Sequence, residues 1–467
     1  MRPIFKSLLA RPPAAEVRNV FLRQSAPQRR YISVARAHIN SSAERAMTKL
    51  PPLAAMPTGA LLRSLAFTTI MSTALLKPAM HFMKLVANPN AFIFSPDRNP
   101  VVRMLLRPTF YKQFAAGENE KEVTKTIRHI KDQGFTGVIL GYAREIVVET
   151  QGRTPRPTDN PTKAELRDIE LWKQDTLRTL RMLDSGDFLA IKYTGAGRIA
   201  VDACLAGEAL PPKSIELAMD EICNEARSQG SRIWIDAEQT HLQPTLDRWA
   251  IDLMKRHNRD GKALVYNTIQ AYLKSSRENV LSHLRAAQNG DWTLGIKLVR
   301  GAYIANEPRS RIHDTKEETD EAYNKIVSSL LRQDFPVDGD HGVFPKVQLF
   351  VASHNVSSIR QAYSLHSHRV RDEMPTVYVE YGQLMGMADD VSCELLIHRR
   401  EDLQSTDEKT RLSAPKVFKC LSWGSTSELV QNLYRRAVEN TDAVQRTENM
   451  AKALRGELLR RVFRLSS

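Results

Sequence analysis

Cysteine is scarce in this 467-residue chain, and its four copies, Cys204, Cys223, Cys393 and Cys420, form no CxxC pair. That spacing argues against a zinc ribbon and against a disulfide framework. No HExxH segment and no P-loop occur, which removes zincin and P-loop nucleotidase chemistry. The apolar run "SLAFTTIMSTALL" (64–76) is too short to span a bilayer and is bounded by Arg63, Lys77 and Pro78, so it reads as a core or interfacial helix. Acids are almost missing from the first fifty residues, where Glu16 and Glu44 face ten Lys or Arg. That end supplies about +8 of the net +14, and the remaining excess of about +6 does not call for a nucleic-acid partner.

What is present starts with that end. Residues 1–40 are arginine-rich and acid-poor, and Phe5, Leu8 and Leu9 are flanked by Lys6 and Arg11. Such composition predicts a mitochondrial transit peptide, disordered, with processing near "RRYISVA". The competing reading is a basic arm that binds an acidic partner. Residues 45–118 predict a helical N-terminal arm, residues 119–445 the main domain, and residues 446–467 an amphipathic C-terminal helix.

Within the main domain, eight β-rich runs alternate with helical stretches. The runs are "GVILGY" (137–142), "FLAIKYT" (188–194), "RIWIDA" (232–237), "ALVYNT" (263–268), "LGIKLV" (294–299), "VQLFVA" (347–352), "TVYVEY" (376–381) and "KVFKCL" (416–421). They begin about 40 residues apart. Parallel strands require crossovers of this kind, and eight such units predict a distorted α/β barrel of the (β/α)8, TIM-like class. An open doubly wound sheet is the alternative.

A (β/α)8 barrel places its site at the C-terminal strand ends. Polar residues gather there in six of the eight runs: Lys192 and Thr194; Asp236 and Glu238; Asn267 and Gln270; Lys297, Arg300 and Tyr303; Ser353, His354 and Asn355; and Gln383. Lys192 and Lys297 are cations in apolar strands, and a buried lysine is costly unless an anion pairs with it. A flavin, with its pyrophosphate and reducible N1–C2 edge, suits such a pair, and Asp236 is placed to orient Lys297. Gly301 would let backbone approach a phosphate. The segment "TGAGRIA" (194–200) loosely matches a dinucleotide fingerprint, but "RIAVDAC" does not read as the helix that the fingerprint requires.

Near the end, "NLYRRAVEN" (432–440) places Arg435 and Arg436 on a helix with an apolar stripe of Leu429, Leu433 and Ala437. Two guanidinium groups near the barrel mouth would suit a carboxylate held in fork geometry, with Glu439 one turn on to steady Arg435. A solvated charge pair is the competing reading.

Taken in order, "RPTFYKQFAAGE", "DAEQTHLQP", "NTIQAYLK", "GIKLVRGAYIANE", "VASHN", "YGQLMGM" and "LYRRAVEN" resemble the proline dehydrogenase family over roughly residues 105–445, and "KCLSWGS" is similar to its fungal branch. The resemblance implies a distorted (β/α)8 barrel holding FAD non-covalently. It implies oxidation of L-proline to Δ1-pyrroline-5-carboxylate, with electrons passed to a membrane quinone. It assigns Arg435 and Arg436 to the substrate carboxylate, Lys192 and Tyr303 to the substrate pocket, and Lys297 with Asp236 to the flavin ring. Ala237, Gln270, Val299, Gly301, Ser353, His354 and Lys316 match FAD-contact positions, and Glu439 matches the acid that braces the arginines. Peripheral association with the matrix side of the inner mitochondrial membrane follows from the same reading, since the ends are amphipathic and no span is present. Gly141, Ile269, Cys420, Ser422 and Trp423 depart from the family pattern, which puts the pocket's shape in question. Alternatives are a related flavoenzyme acting on hydroxyproline or another cyclic secondary amine, and a non-catalytic barrel that docks on a membrane.

Overall fold

Eight parallel strands close into one barrel in chain order, with β8 paired to β1. They are β1 (Gly137–Tyr142), β2 (Phe188–Ile191), β3 (Arg232–Ile235), β4 (Val265–Gln270), β5 (Leu294–Val299), β6 (Val347–Ala352), β7 (Tyr378–Leu384) and β8 (Val417–Trp423). A closed barrel has no sheet edge, so the open doubly wound alternative is excluded. The structure, a computed structural model, describes residues 51–71, 76–88, 92–143, 154–288, 290–304, 307–337, 342–439 and 443–463, with backbone alone at 70, 71, 76, 92, 435–439 and 443–449. The transit segment and its processing site lie outside the described residues, as do the first residues of the expected arm and the last of the expected C-terminal helix.

All eight β-rich runs are strands, and three keep the expected bounds. The other five shift for a local reason. β2 stops at Ile191 because Lys192 caps a 3-10 turn, Tyr193–Ala196, that ends at Gly197 with φ 98°. β3 stops at Ile235, so Asp236 is the first residue off the strand. β4, β7 and β8 instead run on to Gln270, Leu384 and Trp423, carrying polar side chains further toward the mouth. The segment "RIAVDAC" is helical after all, within Arg198–Ala206, correcting the expectation above. Its glycine start is packed on Asp168, whose Cβ would lie 3.3 Å from a Cβ at Gly197.

Alternation divides each strand between two layers. Val138, Leu140, Leu189, Ile233, Val265, Ile269, Leu298 and Leu349 face the helices and form the main core. Ile139, Phe188, Trp234, Tyr266, Phe350 and Phe418 face inward and fill the barrel with rings. Trp234 meets Phe350 edge-on at 4.5 Å, and Phe188 meets Tyr266, Phe350 and Phe418 at 5.2–5.5 Å. Edge-to-face contacts of this kind add to the burial that they accompany.

Below the rings, Arg232 donates to both oxygens of Glu380 at 2.7 and 2.9 Å, with its guanidinium carbon 3.8 Å from the Phe188 ring centroid. The N-terminal end is thereby plugged, and a ligand has only the C-terminal mouth to enter.

Helices outside the barrel brace that mouth. Thr58–Met71 packs on Ala443–Val462 through a small core containing Leu53, Met56, Leu61 and Leu454. Arg461 ties the two together by donating to Leu53 O at 3.0 Å and Met56 O at 2.7 Å. Leu76–Ala87 packs on Thr426–Glu439, with Met83, Val86, Val102 and Leu106 gathered round Val430. Among the described residues no helix is long and apolar enough to cross a membrane.

Candidate active site at the barrel mouth

Directly above the ring layer stands Lys297, an inward residue of β5 that is 8% exposed. Its Nζ donates to Asp236 Oδ1 at 2.5 Å and lies 4.2 Å from the Trp234 ring centroid. A buried ammonium needs an anion, and the indole face offsets part of its lost hydration. Two strands therefore fix one cation at the bottom of the mouth: β5 supplies it, and β3 supplies its floor, Trp234, and, one residue past its end, its carboxylate.

Beside it, Tyr303 donates its hydroxyl to Ala237 O at 3.2 Å. Burial raises the Tyr303 pKa, and Lys192, within hydrogen-bonding reach, opposes the rise. Glu238 is fully buried; it accepts from Thr194 Oγ1 and from Thr194 N at 3.2 Å. Burial pushes its pKa up, and the charge of Lys192 acts against that shift. An acid with a raised folded-state pKa keeps its proton to higher pH than the unfolded chain does. Stability then falls as pH rises from the unfolded carboxyl value of about 4.3 through the raised one. Glu238→Gln has no proton to lose, so its melting temperature relative to the parent is expected to rise between pH 4 and pH 8. Melting curves at both pH values test this, and a difference independent of pH contradicts it.

Gln270, at the end of β4, accepts from Ala302 N at 3.1 Å and holds the chain after β5 across the mouth. Gly301 also has a packing reason. A Cβ there would lie 2.4 Å from the Tyr272 ring, so the glycine admits an aromatic side chain beside it.

On the opposite rim Arg300 was underread. It donates to Asp320 at 2.8 Å, to Ser358 at 2.7 Å and to Ser353 Oγ, and its guanidinium carbon lies 4.4 Å from the Tyr323 ring centroid. Lys316 and Asn355 meet the same carboxylate, at 2.6 and 3.2 Å. Burial alone would raise the Asp320 pKa, but the Lys316 and Arg300 hydrogen bonds outweigh it and hold it below the usual range. The available signal was the position of Arg300 immediately after β5; its partners are remote in sequence. His354 accepts from Leu384 N through Nε2 at 3.1 Å, which puts the neutral ring's proton on Nδ1.

A cavity of about 130 Å³ opens on the β1, β2 and β8 side, lined in part by Gly141, Ala190, Lys192, Asp236, Cys420 and Asn432. A second cleft, on the outer wall by Val356 and Leu395, holds only about 10 Å³, barely one water. Among the described residues no group of three or more His, Cys, Asp or Glu side chains could hold a metal ion.

The sequence-predicted residues thus divide. Lys192, Asp236, Ala237, Gln270, Lys297 and Tyr303 share one part of the mouth, and Val299 and Gly301 follow it along β5 and its loop. Ser353 and Lys316 lie on the far rim, joined through Arg300 and Asp320, and His354 is held there by Leu384 N. Arg435, Arg436 and Glu439 are carried by the helix Thr426–Glu439, but their side chains lie outside the described residues. That helix is seated by Leu429 and Leu433 against Tyr111, Ala115 and Ala143, and by Val430 on its other flank. Ile269 and Trp423 face the helix layer, where Trp423 donates to Thr179 Oγ1 at 3.0 Å. Of the five departures from the family pattern, only Gly141, Cys420 and Ser422 line the cavity.

A family model described as proline dehydrogenase matches residues 123–449. "Probable proline dehydrogenase, mitochondrial" from Schizosaccharomyces pombe is 29% identical over 408 residues, covering 76% of this chain and 80% of that protein. The human "Proline dehydrogenase 1, mitochondrial" is 32% identical over 254 residues, covering 52% of this chain and 38% of that one. Among solved structures, proline utilization A (PutA) from Bdellovibrio bacteriovorus, inactivated by N-propargylglycine, superposes with a TM-score of 0.60. It is 14% identical, and the match covers 92% of this chain and 44% of that one. The likeness to PutA is one of fold.

Proposed function

This chain belongs to the proline dehydrogenase family and is an oxidoreductase acting on the CH–NH group of proline; we propose that it uses FAD held non-covalently over the barrel mouth, forming Δ1-pyrroline-5-carboxylate and passing electrons to a quinone. The observation that carries this reading is the Lys297–Asp236 pair, fixed on the ring layer beside a cavity large enough for a small substrate. The donor set fits such a cofactor. Four cations, Lys192, Lys297, Arg300 and Lys316, surround one mouth, as a ligand with an anionic pyrophosphate and an electron-accepting ring requires. Gln270, Lys297 and His354 would hold the ring side, and Ser353, Lys316 and the chain at Ala237, Val299 and Gly301 the remainder. When bound, FAD supplies the hydride acceptor.

The protein's own share is geometry and electrostatics. Asn432 lines the cavity, and Arg435 and Arg436 stand three and four residues further along the same helix, on the same face. We assign them to the substrate carboxylate, with Glu439 bracing the pair. A carboxylate held at two points fixes the ring against the floor of the site. Proline's amine must lose its proton before its neighbouring carbon can give up hydride. Lys192 disfavours a second cation beside it, and exclusion of water acts in the same direction.

Residues 119–445 form the catalytic unit in this reading, supported by the helices of 45–118 and 446–467. The relatives named mitochondrial support that location, with residues 1–40 as the transit peptide. Peripheral contact with the matrix side of the inner membrane is supported by Ile93, Val101, Met104 and Leu105, each more than half exposed around the helix Pro100–Leu106. The test is an assay of L-proline-dependent reduction of a short-chain ubiquinone analogue, with the imine product trapped by o-aminobenzaldehyde. Trapped product should equal quinone reduced. Quinone reduction without trapped product, or no reduction by flavin-loaded protein, would overturn the reading.

A further inference from the structure

Behind the mouth, between β4 and two helices, lies a buried carboxylate with no counter-charge. Asp247, on the helix Gln243–His257, is buried, and among the described residues no Lys, Arg or His pairs with it. A carboxylate in that position is tolerated only where hydrogen-bond donors replace the water it loses. Three side-chain amides do so. Gln243 Nε2 and Asn267 Nδ2 donate to Oδ1 at 2.8 Å each, and Asn279 Nδ2 donates to Oδ2 at 3.0 Å. Asn267, which the sequence places among the mouth residues, thus turns to the helix layer.

The donors have a fixed direction. Gln243 Oε1 accepts from Glu238 N at 2.7 Å. A backbone N–H can only donate and a carboxylate can only accept, so the amide between them has one orientation. Asn267 is fixed in the same way. His283 Nδ1 lies 2.9 Å from Asn279 O and so carries the proton, and Nε2, 2.9 Å from Asn267 Nδ2, accepts. Both hydrogens of the Asn267 amide are then used, and its Oδ1 is buried with no hydrogen-bond partner among the described residues. An unmatched buried carbonyl is a cost that an apolar side chain would avoid. What offsets it lies at the other end of the chain of bonds.

There stands the tripeptide 236–238, to which much of the mouth is tied. Asp236 holds Lys297, Ala237 O accepts from Tyr303, and the Glu238 carboxylate accepts from Thr194, two residues past Lys192. The bond from Glu238 N to Gln243 ties this tripeptide back to the helix layer, and Gln243 and Asp247 share one helix face at i and i+4.

We propose that Asp247 is a positioning residue for the oxidation: acting through Gln243, it sets where Asp236, Ala237 and Glu238 stand, and with them the Lys297 ammonium and the Tyr303 ring. The proposal rests on the proline-oxidising reading.

The test uses the flavin-loaded full chain and kcat/KM for L-proline per bound flavin, which leaves any unfolded fraction out. Asp247→Ala removes the acceptor, and Gln243→Met removes the link at similar length. Each should lower kcat/KM about tenfold to a hundredfold, since small displacements of positioned groups cost that much. Because both act along one chain of bonds, the double variant should lose no more than about twofold beyond the larger single loss, whereas independent effects would multiply. Asp247→Asn keeps one oxygen for Gln243 and Asn267, and a flip of the half-buried Asn279 amide matches its new donor, so it should retain most of the parent's rate. Asn279→Ala removes a donor to the same carboxylate on the side away from the mouth; it should lower the melting temperature and leave kcat/KM near the parent's. The midpoint potential of the bound flavin is a second readout. It should shift in the same direction in Asp247→Ala and Gln243→Met and stay in place in Asn279→Ala. Should Asp247→Ala not fold, Gln243→Met decides. A parent-like rate and potential in Gln243→Met, losses that multiply in the double variant, or a loss in Asn279→Ala equal to that in Asp247→Ala would overturn the proposal. A parent that leaves proline unoxidised would sink the underlying reading, whereas a parent that oxidises it, with the variants unchanged, sinks this proposal alone.

Discussion

Methionine at both Arg435 and Arg436 is expected to lower kcat/KM for L-proline on the order of a thousandfold, with flavin still bound. The argument is one of desolvation. The substrate is small, and its carboxylate is its strongest handle. Taking that anion out of water is compensated only by charged donors, and a two-pronged guanidinium contact does so with fixed direction. Truncating one partner of a buried charge pair costs roughly 2–5 kcal/mol, and each 1.4 kcal/mol is tenfold. Two truncations at one carboxylate share a partner, so their effects do not add fully. In the proposed reading the same pair aligns the ring for hydride loss, so kcat is expected to fall as well as apparent affinity. Lysine at either position restores charge without the planar fork and should recover only part of the loss. Steady-state kinetics on the single and double variants, with flavin content from the absorbance spectrum, check this. A double variant within tenfold of the parent would mean that the helix presents its arginines to solvent.

Glu380→Ala is expected to cost about 3–5 kcal/mol of folding stability, although it lies at the end of the barrel away from the chemistry. Glu380 is fully buried and accepts two hydrogen bonds from Arg232 and one from Tyr378 at 3.0 Å. Burial alone would lower the Arg232 pKa, but the Glu380 charge more than offsets it, so the guanidinium stays ionised. Removing the carboxylate leaves that cation on the Phe188 ring with no anion. The same logic predicts that Arg232→Met with Glu380→Leu recovers most of the loss, because no charge remains to be buried. Urea unfolding curves distinguish these cases, through a lower midpoint at unchanged slope for the single variant. A single variant as stable as the parent would show that water reaches Arg232 from below.

The barrel was legible because its strands face inward on rings and outward on helices. Runs such as "LGIKLV" and "VQLFVA" are apolar on both faces and bounded by turns, and eight of them at regular spacing leave few folds. Strand ends were less legible where a cap competes with the pleat. "FLAIKYT" reads as seven strand residues, yet the turn at Tyr193 begins early and sets Lys192 at the mouth. "RIAVDAC" looked poor as a helix, with one β-branched residue on each side of an alanine, but tertiary packing buries all of Ile199–Cys204.

That polar residues gather at the strand ends could be read from spacing alone. Those that act through partners could not. Arg300 gains meaning only from Asp320, Ser353 and Ser358, which lie 20 to 58 residues on. Asp168 and Asp175 belong to a helix whose sequence shows charge and amphipathicity but not which side leans over the mouth. Gly141 and Cys420 stand out in the sequence as departures from a family pattern. Their placement in one interior quadrant is a three-dimensional fact, as is the withdrawal of Ile269 and Trp423 from it.

The central claim is that the cations at the mouth hold a flavin that a carboxylate-anchored cyclic amine can reduce. Its most direct measurement is an anaerobic titration of the purified protein's visible absorbance with L-proline, beside the double arginine variant. The account predicts a yellow protein, bleached by L-proline in the parent and only at far higher concentration in the variant. A protein that binds no FAD, or a flavin bleached equally in both, would contradict it.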